Sequence, residues 1–404
     1  MSAATPVVAG KGTLGTRTMK LNIGPQHPAT HGTLHLECEV DGEVIVDVIP
    51  HIGFLHTGFE KLAEYRSYNQ FITLSDRLNY MSSLNNNIGF AMAVEELLGI
   101  EITPRCRVLR VIMAELGRIG DHALSIGLQA MDLGAFSIML WTFVEREKLY
   151  DIFEAVTGGR LTTSWTRIGG LSRDVPDDFV PAVKKFVDYF PGVVDEIEKM
   201  LNRNRIFLKR TIGVGALSKQ DAISHGLTGP LLRACGVAYD IRRANPYLGY
   251  EKYDFDVPTA PDGDVYSRYK VRIAELRQSL RILEQAMENI PSGPVTALDT
   301  KFALPDKFSI YNDMEALIHH FKLIMHGHGF KPQAGEIYSS TEGPNGELGW
   351  FIVSDGTRNP YRLRCRPPSF INYTAMPKMV RGQMISDLVA VMSSINVIAG
   401  ELDR

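Results

Sequence analysis

The chain has 404 residues, 45% of them hydrophobic, and a net charge of -3. This length and composition predict two or three structural regions around a large core and exclude global disorder. The charge excludes the basic footprint of a nucleic-acid binder, and no run of about 18 apolar residues is present to span a bilayer.

The first twenty residues carry Lys11, Arg17 and Lys20, no acid and no apolar stretch of secretory type. Residues 1–17 are expected to be a flexible tail rather than a signal or transit segment. Three short strands follow, "TRTMKLNIG", "GTLHLECEV" and "GEVIVDVIP", with Asp41-Gly42 as a hairpin turn between the second and third. The connection between the first two is "PQHPATHG", in which Pro28 and Gly32 disfavour a helix. His27 and His31 therefore fall on a loop and His35 in a strand. A zinc site, a proton-handling loop and a plain turn all fit this histidine spacing.

A helical pattern begins near Asp76 and ends at Gly99. Pro104 opens a long helix reaching Gly134, and "EREKLYDIFEAVTG" and the 176–204 stretch give two more. The apolar runs "GAFSIMLWTFV" and "LVAVMSSINVIAG" are expected to be buried helices. Residues 206–261 are rich in Gly, Pro and Tyr and are expected to be irregular, whereas "DVYSRYKVRIAELRQSLRILEQAMENI" is an amphipathic helix. "GEIYSST", "ELGWFIVSDG" and "YRLRCRPPSF" predict a last pair of strands and an edge strand, before a closing helix from about 383 to 398. The expected fold is α+β, mainly α. It has a small N-terminal antiparallel sheet with the histidine loop (18–75), a helical bundle (76–330), an α/β insertion (331–370) and a C-terminal segment (371–404) returning to the bundle.

The long helix carries two stripes. Leu109, Ile112, Leu116, Ile119, Ala123, Ile126, Ala130 and Leu133 form an apolar seam, and Gly117, Gly120, Gly127 and Gly134 would allow close packing. Beside it run Glu115, Arg118, His122, Ser125, Gln129 and Asp132, also in steps of three and four. This second stripe is either a solvated face or a buried polar chain. Its lack of lysine and its short polar groups favour burial, which requires that every member be satisfied or that the chain move protons.

Metal chemistry finds little support. Cys38, Cys106, Cys235 and Cys365 are scattered and form no C-x-x-C pair, so no cysteine-bound cluster is expected and a reducing compartment fits. There is no H-E-x-x-H, and the adjacent His319 and His320 point to different helix faces. Neither a G-x-G-x-x-G nor a Walker A loop occurs, so nucleotide binding has no sequence support.

The segments "GPQHPATHG", "PHIGFLHTGFEK", "RVIMAELGRIGDH", "MDLGA", "EREKLYDIFEAVTGGR", "GLTGPLLRACGV", "FDVPTAPDGDVYSRY", "GEIYSSTEGPNGELGWFIVSDG" and terminal "GELDR" occur in one order. Together they resemble the hydrogenase-like, quinone-site D-subunit family of proton-pumping NADH:quinone oxidoreductase, respiratory complex I, over residues 18–404. That family is similar to the large subunit of nickel–iron hydrogenases, whose metal-binding cysteine pairs are missing here. The resemblance implies a pocket that receives a quinone headgroup as substrate, beside a 4Fe–4S cluster carried by an adjacent subunit. No metal would be bound by this chain.

By resemblance, His31 and Tyr80 match the headgroup-binding histidine and tyrosine, and Asp132 the carboxylate paired with that histidine. Arg77 and His122 match residues facing the neighbouring cluster, and His27 shares the His31 loop. Asn79 stands where many relatives have aspartate, and Asp121 where Asn or Ser is usual. The implied partners are other complex I subunits, especially the terminal-cluster subunit and the membrane quinone-channel subunit. The implied location is peripheral, on the cytoplasmic side of a bacterial membrane or the matrix side of a mitochondrial one. The alternatives are the large subunit of a related membrane hydrogenase or ferredoxin-linked complex, and a purely structural subunit.

Overall fold

A computed structural model describes residues 18–30, 32–297, 302–325 and 327–404. The three N-terminal strands form as expected: β1 (Met19–Ile23), β2 (His35–Asp41) and β3 (Val44–His51) make an antiparallel sheet in that order. Leu36, Cys38 and Val40 alternate inward along β2 and are buried, the period-two pattern of a sheet with one covered face. Ile23 pairs with Leu36, so residues 24–34 form the connection that carries the histidines.

Two short helices that sequence did not predict follow, α1 (Phe59–Glu64) and α2 (Tyr68–Ser75). A capping box starts α2: Ser67 Oγ accepts the Gln70 amide and Gln70 Oε1 accepts the Ser67 amide. The helix expected from Asp76 begins only at Ser83, as α3 (Ser83–Leu98). The cause is local. Asn79 Oδ1 accepts the backbone amides of Met81 and Ser82, both at 3.1 Å, and so holds the segment in a turn.

Helix α4 (Pro104–Asp132) is the axis of the molecule, 29 residues long. Thr103 caps it through the Cys106 amide, and Pro104 sits in its first turn. It packs against α3, α5 (Phe136–Thr157), α7 (Val265–Glu288) and α8 (Ile385–Ile395), while α6 (Phe179–Asn202) covers α5 and α7. The expected roles of its glycines divide. At Gly127 a Cβ would lie 2.2 Å from Thr142 Oγ1 on α5, a true close approach. A Cβ at Gly134 would meet nothing within 4 Å, and this glycine instead takes φ +91° just past the helix end.

The run "GAFSIMLWTFV" opens α5 but is not buried as expected. Phe136, Leu140, Phe143 and Val144 lie on its outward face, each 42–57% exposed, while Ile138, Thr142 and Leu149 face inward. Residues 206–261 are less irregular than expected and contain the short helices Arg205–Thr211, Lys219–Ser224, Gly229–Ala234 and Ile241–Ala244. Side chains of Asn204, Ser218 and Asp240 cap three of them.

The C-terminal sheet is antiparallel, β4 (Gly335–Gly343), β5 (Gly346–Ser354) and β6 (Arg362–Arg366), with β5 central. It shares a core with α2 and α3 around Phe71, Phe90 and Trp350. The chain closes with α8 and α9 (Ala399–Asp403), joined through Asn396 at φ +56°. The fold is thus mainly helical, with small antiparallel sheets at both ends of the sequence.

Candidate functional site

The polar stripe of α4 is buried. Glu115, Arg118, His122, Ser125 and Gln129 are at most 1% exposed, and Asp132 is half-buried. Helix α7 faces it with Arg268, Arg272, Glu275 and Ser279 at the same spacing, and of these Glu275 and Ser279 bond to the stripe. Ser279 Oγ donates to Glu115 at 2.6 Å, and His122 Nε2 meets Glu275 Oε2 at 2.8 Å. Arg233 binds Glu275 at 2.7 Å and Glu342 at 2.8 Å, and Arg242 bridges Glu115 and Asp240. The ionic web therefore crosses α4, α7, the 229–244 segment and β4. Burial works against the charge of Glu275, but Arg233 and the His122 hydrogen bond outweigh it and hold the carboxyl down at about 2. Burial lowers His122 from its ordinary value, with Glu275 opposing.

A cavity of about 250 Å³ opens elsewhere, between the histidine loop, the turn before α3, α4 and the α8–α9 junction. Ala29, Thr33 and Leu34 line it from the loop, and Tyr80 and Met81 from the turn. Leu124 and Leu128 line it from α4, Phe143 from α5, and Ser393, Asn396 and Ile398 from the C-terminal side. The wall is mostly apolar with a few convergent polar groups, the usual make-up of a small-molecule site. The loop is knit by Thr30, whose Oγ1 donates to the carbonyls of His27 (2.9 Å) and Pro25 (3.1 Å). A larger hollow of about 670 Å³ lies between α2 and the 302–324 segment, but no residue of the motifs' expected site faces it.

The expected residues separate into groups. Tyr80 lines the cavity, and burial raises its phenol above the ordinary value, a hydrogen bond with the Ala399 backbone opposing and the charges of Glu401 and Asp121 adding to it. Asp132 lies one helical turn beyond Leu128 on the same face of α4. Burial pushes its carboxyl up to about 6. His31 lies outside the described residues, although its neighbours Ala29 and Thr33 border the cavity. His27 is exposed, with Nδ1 accepting the Ala29 amide at 3.2 Å. Arg77 is exposed on the turn and does not line the cavity, and His122 faces Glu275 instead.

Sequence reasoning missed Asn79, Asp121, Asn396 and Glu401 as a group. Asp121 accepts amide hydrogens from Asn396 (2.7 Å) and Asn79 (3.4 Å), and Asn79 also donates to Glu401 at 2.8 Å. The unusual identities at 79 and 121 were the only signal. Among the described residues, no three His, Cys, Asp or Glu side chains converge to hold a metal ion, and no helix is long and apolar enough to cross a membrane. All four cysteines are free and buried.

Comparison with known proteins places this geometry in context. The family model described as "Respiratory-chain NADH dehydrogenase, 49 Kd subunit" matches residues 132–404. The D subunit of NADH-quinone oxidoreductase from Geotalea uraniireducens is 51% identical over 389 residues, covering 96% of this chain and 99% of that one. The D subunit from Methylacidiphilum infernorum is 51% identical over 384 residues, covering 95% and 91%. A C/D subunit from Bdellovibrio bacteriovorus is 50% identical over 391 residues, covering 97% of this chain and 70% of its own length.

Proposed function

The chain belongs to the family of NADH-quinone oxidoreductase D subunits, and on that premise we propose that its cavity at Tyr80 receives the quinone headgroup, with Tyr80 and His31 as proton donors. It is a component of the NADH:quinone oxidoreductase of the respiratory chain and acts within the assembled enzyme.

Reduction of a quinone to a quinol adds two electrons and two protons, one proton at each ring oxygen. In an apolar pocket a negative ring oxygen without a donor is costly, so each oxygen needs one. The Tyr80 phenol serves one oxygen, and its raised proton affinity keeps it in the neutral, donating form. His31 serves the other, and Asp132 favours its charged form by opposite charge. Once His31 gives up its proton, Asp132 loses its counter-charge, and the imbalance passes along the buried stripe of α4 toward the proton-moving subunits.

Electrons would reach the headgroup from a 4Fe–4S cluster held by an adjacent subunit, as the family resemblance implies. Arg77, exposed on the turn, and His122, at the bundle centre, are assigned to that side of the site. His27 supports the loop. Phe143 both lines the cavity and belongs to the exposed apolar face of α5. A neighbouring protein of the complex, laid over that face, would close the pocket, and the membrane quinone-channel subunit would hold the tail. The chain would then sit peripherally, on the cytoplasmic side of a bacterial membrane or the matrix side of a mitochondrial one.

The observation that supports this reading is a single cavity bordered by both Tyr80 and by Ala29 and Thr33 of the loop whose sequence carries His31. The test is made in assembled Tyr80→Phe, His31→Ala and Asp132→Asn enzymes. Quinone reduction by NADH falls by on the order of 100-fold for loss of a positioned acid, while NADH oxidation by an artificial acceptor persists. Normal quinone turnover in an assembled His31→Ala or Tyr80→Phe enzyme would refute the assignment of that residue.

A further inference from the structure

Beneath the Tyr80 cavity lie two carboxylates that the proposed chemistry does not use. Asp121 on α4 and Glu401 on α9 are buried, at 0% and 2% exposure. One amide serves both: Asn79 Nδ2 donates to Glu401 Oε1 at 2.8 Å and to Asp121 Oδ2 at 3.4 Å. The Asn79 orientation is set independently, because its Oδ1 already accepts the Met81 and Ser82 amides. Asn396, which lines the cavity, donates to the other oxygen of Asp121. Ser369 donates to the other oxygen of Glu401 through Oγ at 2.6 Å and through its backbone amide at 3.4 Å.

Every group that donates to these two acids is neutral, and among the described residues no cation comes within 4 Å of either. The charged groups that face them are farther away. Arg146 from α5 and Arg272 from α7 face Asp121. His122 adjoins it on α4 and is itself bound to Glu275 of α7. Tyr80, from the turn before α3, faces both acids, and the buried Cys365 thiol of β6 faces Glu401. Two negative charges bridged by one amide in a buried site are unfavourable, and such a pair retains a proton. Its place is Glu401, whose partners are all neutral, while Asp121 has the arginines. In keeping with this, burial pushes Glu401 up to about 7, the Ser369 hydroxyl opposing and the Asp121 charge adding to the rise.

We propose that Asp121 and Glu401 form a one-proton carboxylate pair that positions Tyr80 electrostatically and sets how readily its phenol donates to the quinone. The inference rests on Tyr80 being a headgroup donor. With the proton present, one negative charge faces the phenol. With it gone, two do, the phenol holds its hydrogen more tightly, and donation slows. Turnover therefore falls as pH rises through the titration of the pair.

The test is the pH profile of quinone reduction by the assembled enzyme, with NADH oxidation by an artificial acceptor as the measure of assembly. Between about pH 6 and about pH 9 the native enzyme loses at least about threefold of its quinone turnover through this pair. Glu401→Gln, which cannot ionise, loses that alkaline limb. Asp121→Asn removes the like charge and moves the limb to lower pH. A Glu401→Gln enzyme that keeps the native limb overturns the proposal. Should Glu401→Gln not assemble, the infrared carboxyl stretch of the native enzyme and of Asp121→Asn decides. A protonated carboxyl titrating near neutrality, and at lower pH in Asp121→Asn, supports the pair, and its absence overturns it. Tyr80→Phe separates the two levels. Full quinone turnover in that enzyme removes the premise, whereas loss of turnover together with a native limb in Glu401→Gln removes only this inference.

Discussion

At the residue scale, burial assigns protonation states that composition cannot. Asp132 ends α4, where the negative end of the helix dipole already disfavours a carboxylate, and burial pushes it up to about 6. An acid with a raised value is neutral below it and charged above. If its charge keeps His31 protonated, quinone turnover falls as pH drops through about 6. The pH–rate profile of Asp132→Asn then lacks that acid-side fall and stays low throughout. An unchanged acid limb in the variant would dissociate Asp132 from the chemistry. Tyr80 illustrates the same dependence on context: as a single letter it is an ordinary core tyrosine, and only its place at a cavity beside two carboxylates gives it a role.

At the element scale, the site is held by close backbone contact between distant segments. Gly400 in α9 lies against the turn that carries Tyr80. A Cβ there would be 2.5 Å from the Arg77 carbonyl oxygen and 2.7 Å from that of Leu78. Neither carbonyl can rotate away as a side chain could. Gly400→Ala is expected to cost roughly 1–3 kcal/mol as overpacking and to displace α9 from the turn. Quinone turnover falls and the quinone KM rises, while NADH oxidation by an artificial acceptor is retained. Equal loss of both activities would mean that the glycine serves stability alone. The helix expected from Asp76 starts late because the Asn79 side chain takes two backbone amides, and the resulting turn is the surface that α9 covers.

At the scale of the whole molecule, the buried ionic web ties the bundle to the C-terminal sheet. Arg233 binds Glu275 of α7 and Glu342 of β4, all of them buried. Removing the cation leaves two buried carboxylates short of a partner, at a cost of about 3–5 kcal/mol for a broken buried pair. Arg233→Met should therefore lower the amount of assembled enzyme and its melting temperature. Arg381→Met breaks the exposed pair with Asp47 and is worth about 0–1 kcal/mol, so it should leave both near native. Equal effects in the two variants would show that the web contributes no more than a surface pair.

Much was readable from sequence because it follows from local geometry. The period-two pattern of β2 and the steps of three and four along α4 are set by backbone pitch, so strands, helix faces and the lysine-free stripe appear in the letters. The missing C-x-x-C pairs likewise gave no reason to expect a cysteine-held cluster, since that spacing is the usual local signature of thiolate ligands. The helices at 59–75, the outward face of α5 and the grouping of Asn79, Asp121 and Glu401 were not readable. Asn79 and Glu401 are 322 positions apart, and no local period relates them. Only the packing of α9 onto the Tyr80 turn brings them together. By itself the sequence determined which side chains each element presents to one face, and tertiary structure decided which faces meet, because a charge takes its partner and its proton from its neighbours in space.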